Sequence, residues 1–238
     1  MKTLWIIIIL STLVSCERDE SEVNVPCTSN CIEINGFVGE GENMQIPVGK
    51  VYYEFGWSKP ASPLGDPGRL IAKGYAQEDG TFKFSFSPKE REIQGGKFYI
   101  TLKKDNNYIE QDVSFYDIHK ADTSYNLKLH LPSKAYVKVI YRDFYPTSTE
   151  DFFEAMPFYR NYNCCLWGLS MFDKNGKARN DFFFATDSSF STLELHGTTA
   201  GDQYTYLTIL TKKNGQRIDK VDSIYIAKGD TKTYEVKY

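Results

Sequence analysis

Histidine is scarce in this chain: His119, His130 and His196 are the only ones among 238 residues. They lie far apart and no HExxH pair occurs, which excludes a zinc-protease centre of that type. No Gly-rich phosphate loop follows a strand-like run, and no GxSxG elbow is present. The sequence therefore offers neither a nucleotide cradle nor the strained nucleophile turn of a serine hydrolase. Positive charge is not in excess either. The formal net charge is −3, and a nucleic-acid partner, which needs a basic face, is not expected. No catalytic residue, cofactor or metal is expected. Long apolar runs are missing too: the one from Leu4 to Leu10 is shorter than the ~20 residues needed to span a bilayer.

What is present begins at that run. Lys2 followed by a short apolar core reads as a secretory signal. The core leads into Leu13-Val14-Ser15-Cys16, which resembles the lipobox of bacterial lipoproteins. The resemblance implies diacylglycerol on the Cys16 sulfur, cleavage after Ser15 and acylation, as with palmitate, of the new amino terminus. Several acyl chains, at ~0.8 kcal/mol per buried methylene, hold a protein to a membrane where one chain is marginal. Residues 1–15 are then a signal peptide and 16–30 a lipidated acidic tether. The expected location is the outer membrane, on its periplasmic face or at the cell surface. Glu17, Arg18, Asp19, Glu20, Ser21 and Glu22 read as a solvated linker. They also resemble the acidic export patch that some Gram-negative lineages place after the lipidated cysteine.

Apart from Cys16, the cysteines are Cys27, Cys31, Cys164 and Cys165. An even number in an oxidising compartment suggests disulfides. Cys27 with Cys31 would close a small loop before the first strand. Adjacent Cys164 and Cys165 sit ~3.8 Å apart between α-carbons, too close for ordinary disulfide geometry. Cross-bridges from the tether to the second half remain an alternative. A metal site from all four lacks the usual zinc spacing.

From residue 31 the chain is a series of short alternating runs broken by turns, which reads as strands. Ile32 to Val38, Val48 to Phe55, Arg69 to Ala76, Thr81 to Phe86, Lys97 to Lys103, Tyr108 to Phe115 and Ser124 to Leu131 fit this pattern. Thr81 to Phe86 places three Phe on one face, and Asp79-Gly80 before it suggests a type I′ hairpin. The pieces Ile34-Asn35-Gly36-Phe37-Val38, Ile46 to Val51, Ala76 to Phe84 and Phe98 to Leu102 resemble the transthyretin-like, carboxypeptidase regulatory-type sandwich. That resemblance covers residues 31–131 and implies an accessory sandwich used as spacer or binding module.

Pro132 marks a boundary, because proline cannot join a central ladder. A second strand series follows over residues 132–238: Ala135 to Arg142, Leu166 to Phe172, Phe182 to Ala185, Ser191 to Leu195, Tyr204 to Thr211, Ser223 to Ala227 and Thr233 to Tyr238. Asn175-Gly176 and Asn214-Gly215 are further hairpin signals. Glu150 to Arg160 breaks the rhythm and reads as a short helix ended by Pro157. The expected fold is all-β: two consecutive antiparallel β-sandwiches, transthyretin-like or Ig-like, with one continuous sandwich as the alternative.

Aromatic residues are abundant, with 17 Tyr and 16 Phe. Phe152, Phe153, Phe158, Tyr159, Tyr162 and Trp167 fall within sixteen positions, with Arg160, Asn161 and Asn163 interleaved. Phe158, Tyr159, Tyr162 and Trp167 are candidate binding residues, as is Trp57 in a loop with Pro60 and Pro63. The competing reading is that they fill the core. Asp143, Glu150, Asp151 and Glu154 could serve a carboxylate-dependent hydrolase only if two of them converged in a cleft. The sequence thus points to a lipid-anchored, non-catalytic surface module that binds a glycan or protein partner. The alternative is a structural subunit of a fimbria-like or envelope complex joined by strand addition.

Overall fold

The computed structural model describes residues 22–59 and 68–238. The signal segment, Cys16 and the acidic residues up to Ser21 lie outside the described residues, as do Pro60 and Pro63. The chain is almost all β. Its first half contains β1 (Ile32–Glu40), β2 (Ile46–Pro47), β3 (Tyr52–Ser58), β4 (Arg69–Tyr75), β5 (Thr81–Phe86), β6 (Lys97–Lys103), β7 (Gln111–Phe115) and β8 (Thr123–His130). The second contains β9 (Lys134–Phe144), β10 (Phe152–Asn161), β11 (Cys165–Gly168), β12 (Met171–Phe172), β13 (Ala178–Arg179), β14 (Phe182–Phe184), β15 (Phe190–Ala200), β16 (Gln203–Lys213), β17 (Gln216–Ile226) and β18 (Thr231–Lys237). The helical pieces are α1 (Glu90–Gln94) and a 3-10 turn at Glu42–Met44.

One order of pairings occurs twice. In the first half, β1 lies between antiparallel β5 and parallel β8, while β4-β3-β6-β7 forms a second, antiparallel sheet. In the second half, β9 lies between antiparallel β15 and parallel β18, and β10-β16-β17 forms the facing antiparallel sheet, with β11 and β14 sharing the other side of β10. The sheets centred on β1 and β9 are mixed, and the expectation of purely antiparallel sandwiches is corrected to that extent. Parallel neighbours need a long crossover, and in each half the intervening strands supply it.

Period-2 alternation explains the burial. Along β9, Ala135, Val137, Val139 and Tyr141 point inward and are buried. Hydrophobic residues gather in two clusters, one from Ile32 to Leu131 and one from Ala135 to Tyr238. In the first, Phe82, Phe84 and Phe86 share a face and pack on Tyr53, Phe55 and Phe98. Such ring pairs add ~0.5–1.5 kcal/mol each beyond area burial. Gly36 makes room for them, since a Cβ there would lie 1.9 Å from the Phe82 ring.

Two local expectations are corrected. The Asp79-Gly80 turn has positive φ only at Gly80 and passes the chain between sheets, because β5 pairs with β1 and not with β4. Glu150 to Arg160 is not a helix: Phe152–Asn161 is β10, paired with β16 over eight residues from Phe152 to Tyr159. Proline is tolerated in this strand because of where it falls. On the far side of β10, β14 pairs only with residues 152–154 and β11 only with 158–161. Pro157 sits in the break between them, and its carbonyl accepts from the Leu169 amide at 3.1 Å.

The two clusters meet across buried polar groups. Asn161 Nδ2 donates to Gln111 Oε1 at 2.7 Å. His130 N donates to Asn163 Oδ1 at 2.6 Å, and Asn163 Nδ2 returns a bond to the His130 carbonyl at 2.7 Å. Paired groups of this kind fix geometry, because any displacement leaves a buried donor without an acceptor.

Candidate interaction surface: the outer face and free edge of one sheet

The disulfide Cys27–Cys31 closes the small loop before β1. Cys164 and Cys165 are free and exposed at the turn between β10 and β11. Burial, with a hydrogen bond to Cys165 next, pushes the Cys164 thiol up to about 11, so it is a poor nucleophile at neutral pH. Beside the disulfide, the amino-terminal segment closes an edge. Asn24 N donates to the Ile71 carbonyl, Asn24 Nδ2 to Lys73 O and Lys73 N to Asn24 Oδ1, at 2.9, 2.9 and 3.0 Å. The outer side of β4 is thereby capped.

The candidate aromatics separate into two groups. Trp57 is buried in β3, its indole N–H donating to the Gly95 carbonyl at 3.0 Å and the Arg91 guanidinium lying over its ring. Tyr159 is buried on the inner face of β10, where burial pushes its hydroxyl up to about 12. Neither ring faces solvent. Phe158 and Tyr162 are half-buried and Trp167, opposite Tyr159, is 52% exposed. Phe158 stacks on Tyr206 with centroids 5.5 Å apart, and the Arg160 guanidinium lies 4.9 Å from the Tyr162 ring centre. Phe158, Arg160, Tyr162 and Tyr206, with Asn161, Cys164, Cys165 and Leu166, line a shallow cavity of about 560 Å³, and Trp167 lies outside it.

That cavity is one corner of a larger surface which the sequence did not reveal. The inner face of the β10-β16-β17 sheet covers the second core, and its outer face carries many aromatic and aliphatic side chains beside the charged Glu154, Arg160, Lys212, Arg217 and Asp219. Register places Phe158 opposite Tyr206 and Tyr206 opposite Ser223; Tyr204 faces Tyr225; Met156 faces Thr208 and Thr208 faces Val221. Phe152 meets Phe184 on the β14 side. Met156, Leu166, Phe184, Tyr204, Val221 and Tyr225 are all exposed. A sheet with one face on the core usually alternates to polar residues on the other. Exposed apolar side chains gathered on one face make it a candidate interaction surface.

The same sheet ends in a bare edge. β17 pairs with β16 from Gln216 to Ile226, and among the described residues no strand pairs with its outer side. Its first six residues are all exposed. Between this edge and β18 of the facing sheet runs a groove of about 620 Å³ lined by Ile209, Ile218, Lys220, Tyr234, Val236 and Tyr238, among others.

The acidic residues have structural partners. Asp143 pairs with Lys237 and Glu150 with Lys212, at 3.1 and 2.6 Å. Asp151 accepts from the Thr147, Ser148 and Asn214 amides at 2.7, 3.1 and 2.9 Å, and these bonds, that from Thr147 foremost, hold its carboxyl well below the usual range. Glu154 is raised, by burial first and by Asp181 second. Among the described residues no three His, Cys, Asp or Glu side chains gather as a metal site would require. No described helix is long and apolar enough to cross a membrane.

No protein-family model matches the chain, and no curated protein does. The expected resemblance of residues 31–131 to the transthyretin-like family is therefore not supported. Among solved structures, the Bacillus anthracis TIE protein is 12% identical over 87% of this chain and 34% of its own, with a TM-score of 0.34. The shaft pilin SpaA from Lactobacillus rhamnosus GG is 11% identical over 88% of this chain and 98% of its own, with a TM-score of 0.31. A fimbrial protein from Bacteroides ovatus is 8% identical over 87% and 49%, with a TM-score of 0.24. The chain thus spans about a third of the Bacillus anthracis protein, and at these TM-scores the likenesses carry no argument. The lipid-anchored reading is corrected as well. Cys27, the described cysteine nearest the amino terminus, has its sulfur in the bond to Cys31 and cannot hold a thioether-linked lipid. Cys16 lies outside the described residues. The lipoprotein class, the membrane as partner, the outer-membrane location and the anchored binding module are not carried further.

Proposed function

We propose that the protein is a structural subunit of a fimbria-like or envelope assembly, joined to its neighbours through the β10-β16-β17 sheet. The observation that carries this reading is the combination, on one sheet, of an outer face rich in aromatic and aliphatic side chains and an unpaired eleven-residue edge strand. Exposed edges are templates for pairing with another chain, and the charges of β17, Arg217, Asp219, Lys220 and Asp222, are of both signs and so can match a partner strand. Among the described residues, the cap that Asn24 gives β4 has no strand or segment as its counterpart at β17. The Cys27–Cys31 disulfide suits an oxidising, extracytoplasmic location. Two sandwich units, residues 31–131 and 132–238, held by a buried polar junction, would make a stiff rod segment.

The test is assembly itself. Light scattering and electron microscopy of the full chain, over a concentration series, are expected to show particles larger than a dimer. Met156→Lys combined with Tyr204→Lys, which places charge on the outer face and touches no core residue, is expected to abolish them while the far-ultraviolet circular dichroism stays unchanged. A chain that stays small at every concentration, with and without these changes, contradicts the reading.

A further inference from the structure

The β17 edge is self-complementary in one register, and we propose that it pairs antiparallel with β17 of a second copy about a two-fold axis through Val221. The inference rests on the reading of this sheet as the docking sheet and names the partner of its edge. The two-residue turn Asn214-Gly215, with φ of 52° and 79°, closes the β16–β17 hairpin and makes Lys213 and Gln216 its hydrogen-bonded pair. Backbone groups of Gln216, Ile218, Lys220, Asp222, Ile224 and Ile226 then point at β16. Those of Arg217, Asp219, Val221, Ser223 and Tyr225 point outward, where no described strand meets them.

A two-fold axis perpendicular to a sheet keeps each side chain on its own face, so paired residues must share parity. That leaves few registers. Centring on Asp219 or on Lys220 sets two like charges directly opposite, which is unfavourable. Centring on Val221, the midpoint of the strand, pairs all eleven residues. Lys220 then faces Asp222 of the second copy, and Asp222 faces its Lys220, so that the 2.7 Å ion pair these two form within one chain is exchanged for two between chains. Ile218 faces Ile224, Arg217 lies beside the Tyr225 ring, Asp219 faces Ser223, and Val221 faces Val221. The outward amides and carbonyls of Arg217, Asp219, Val221 and Tyr225 find counterparts, the Ser223 amide exchanges its 2.9 Å bond to Asp222 Oδ1 for one across the axis, and no like charges meet. The pairing also covers Ile218 and Val221, both 65% exposed and on opposite faces of the strand. The outer faces of two copies become one continuous surface, and the charge pattern that looks like protection of an edge becomes its recognition code.

Three variants of the full chain test this, each with Cys164 and Cys165 replaced by Ser. Val221→Cys puts two thiols on the axis. Hydrogen-bonded antiparallel pairs have α-carbons about 5.5 Å apart, within disulfide reach, so oxidation is expected to give a covalent dimer. Arg217→Cys, on the same strand, sits roughly 27 Å from its own copy at ~3.4 Å per residue and is expected not to cross-link. Val221→Pro removes an outward amide and no β16 bond, and is expected to weaken dimerisation at least ~10-fold, the cost of lost backbone bonds and a misfitting ring. Charge supplies the rescue. Lys220→Asp and Asp222→Lys are each expected to be monomeric in sedimentation velocity, and mixing them to restore a dimer. The pairing is overturned if Val221→Cys cross-links no faster than Arg217→Cys, or if the mixture stays monomeric. Absence of the dimer while larger particles persist through the outer face sinks this inference and leaves the assembly reading standing. Dimers that never grow further sink the assembly reading and leave the pairing standing.

Discussion

Lys228, in the turn before β18, reaches across the junction to Glu40 at the end of β1, its Nζ 3.1 and 3.2 Å from the two carboxylate oxygens. The same ammonium donates to the Tyr108 hydroxyl and lies 4.2 Å from the centre of that ring. Glu40 is buried, and Lys228 is its ion-pair partner. The contact ties together residues 188 positions apart, one from each half of the chain, and a junction locked in this way sets the direction in which the two halves point.

Lys228→Ala should therefore destabilise the junction. Removing one partner of a buried pair costs several kcal/mol, but Lys228 is more than a third exposed and screening reduces this to about 1–2 kcal/mol. Urea unfolding followed by tryptophan fluorescence and circular dichroism is expected to show the two probes separating as the halves uncouple. Coincident curves with an unchanged midpoint would argue that the junction is not held here.

His130 makes the junction sensitive to acid. It is fully buried, and burial pushes its pKa from 6.5 down to about 4. A histidine that is buried neutral binds its proton more weakly in the folded chain than in the unfolded one. Its contribution is complete above the unfolded value and is lost as pH falls through the window between about 6.5 and 4. The expected loss at pH 5 is about 2 kcal/mol, measured as the difference in urea unfolding between pH 7.5 and pH 5. His130→Gln should flatten that dependence, and an equally steep dependence in this variant would refute the assignment.

The Tyr141 hydroxyl donates to the Ala155 carbonyl at 2.8 Å across the second core, between facing sheets. Tyr141→Phe keeps the ring and leaves a buried acceptor unpaired, an expected cost of ~1–2 kcal/mol. Thermal unfolding should register a lowered midpoint with unchanged circular dichroism.

Gly36→Ala should cost more than its size suggests. Its Cβ would meet the Phe82 ring at 1.9 Å, and displacing a packed core ring costs ~1–3 kcal/mol. Gly168, with nothing within 4 Å of an added Cβ, is the control, and Gly168→Ala should stay within ~0.5 kcal/mol of the parent.

Much of the strand content was legible in the sequence because alternation is a local signal. Thr81 to Phe86 and Lys97 to Lys103 coincide with β5 and β6, and Asn214-Gly215 adopts the expected positive φ values. The missed strand, β10, shows the limit. Asp151, Glu154, Ala155 and Pro157 read locally as a capped, proline-ended helix, and only a gap between two partner strands makes Pro157 acceptable in a ladder. For the candidate site the signal was coarser still. Aromatic density around residues 152–167 marked the right neighbourhood, but composition could not say that Tyr159 faces inward while Phe158 faces out.

The sequence by itself determined where the strands and several of the turns fall, since those depend on neighbours one to four residues away. Pairing partners are separated by the length of a whole half, so tertiary structure alone decided that β8 and β18 return in parallel beside β1 and β9. It also decided that β4 is capped by Asn24 while β17 is left open. Whether a strand lies inside a sheet or at its rim depends on what packs beside it, and no local pattern of residues records that.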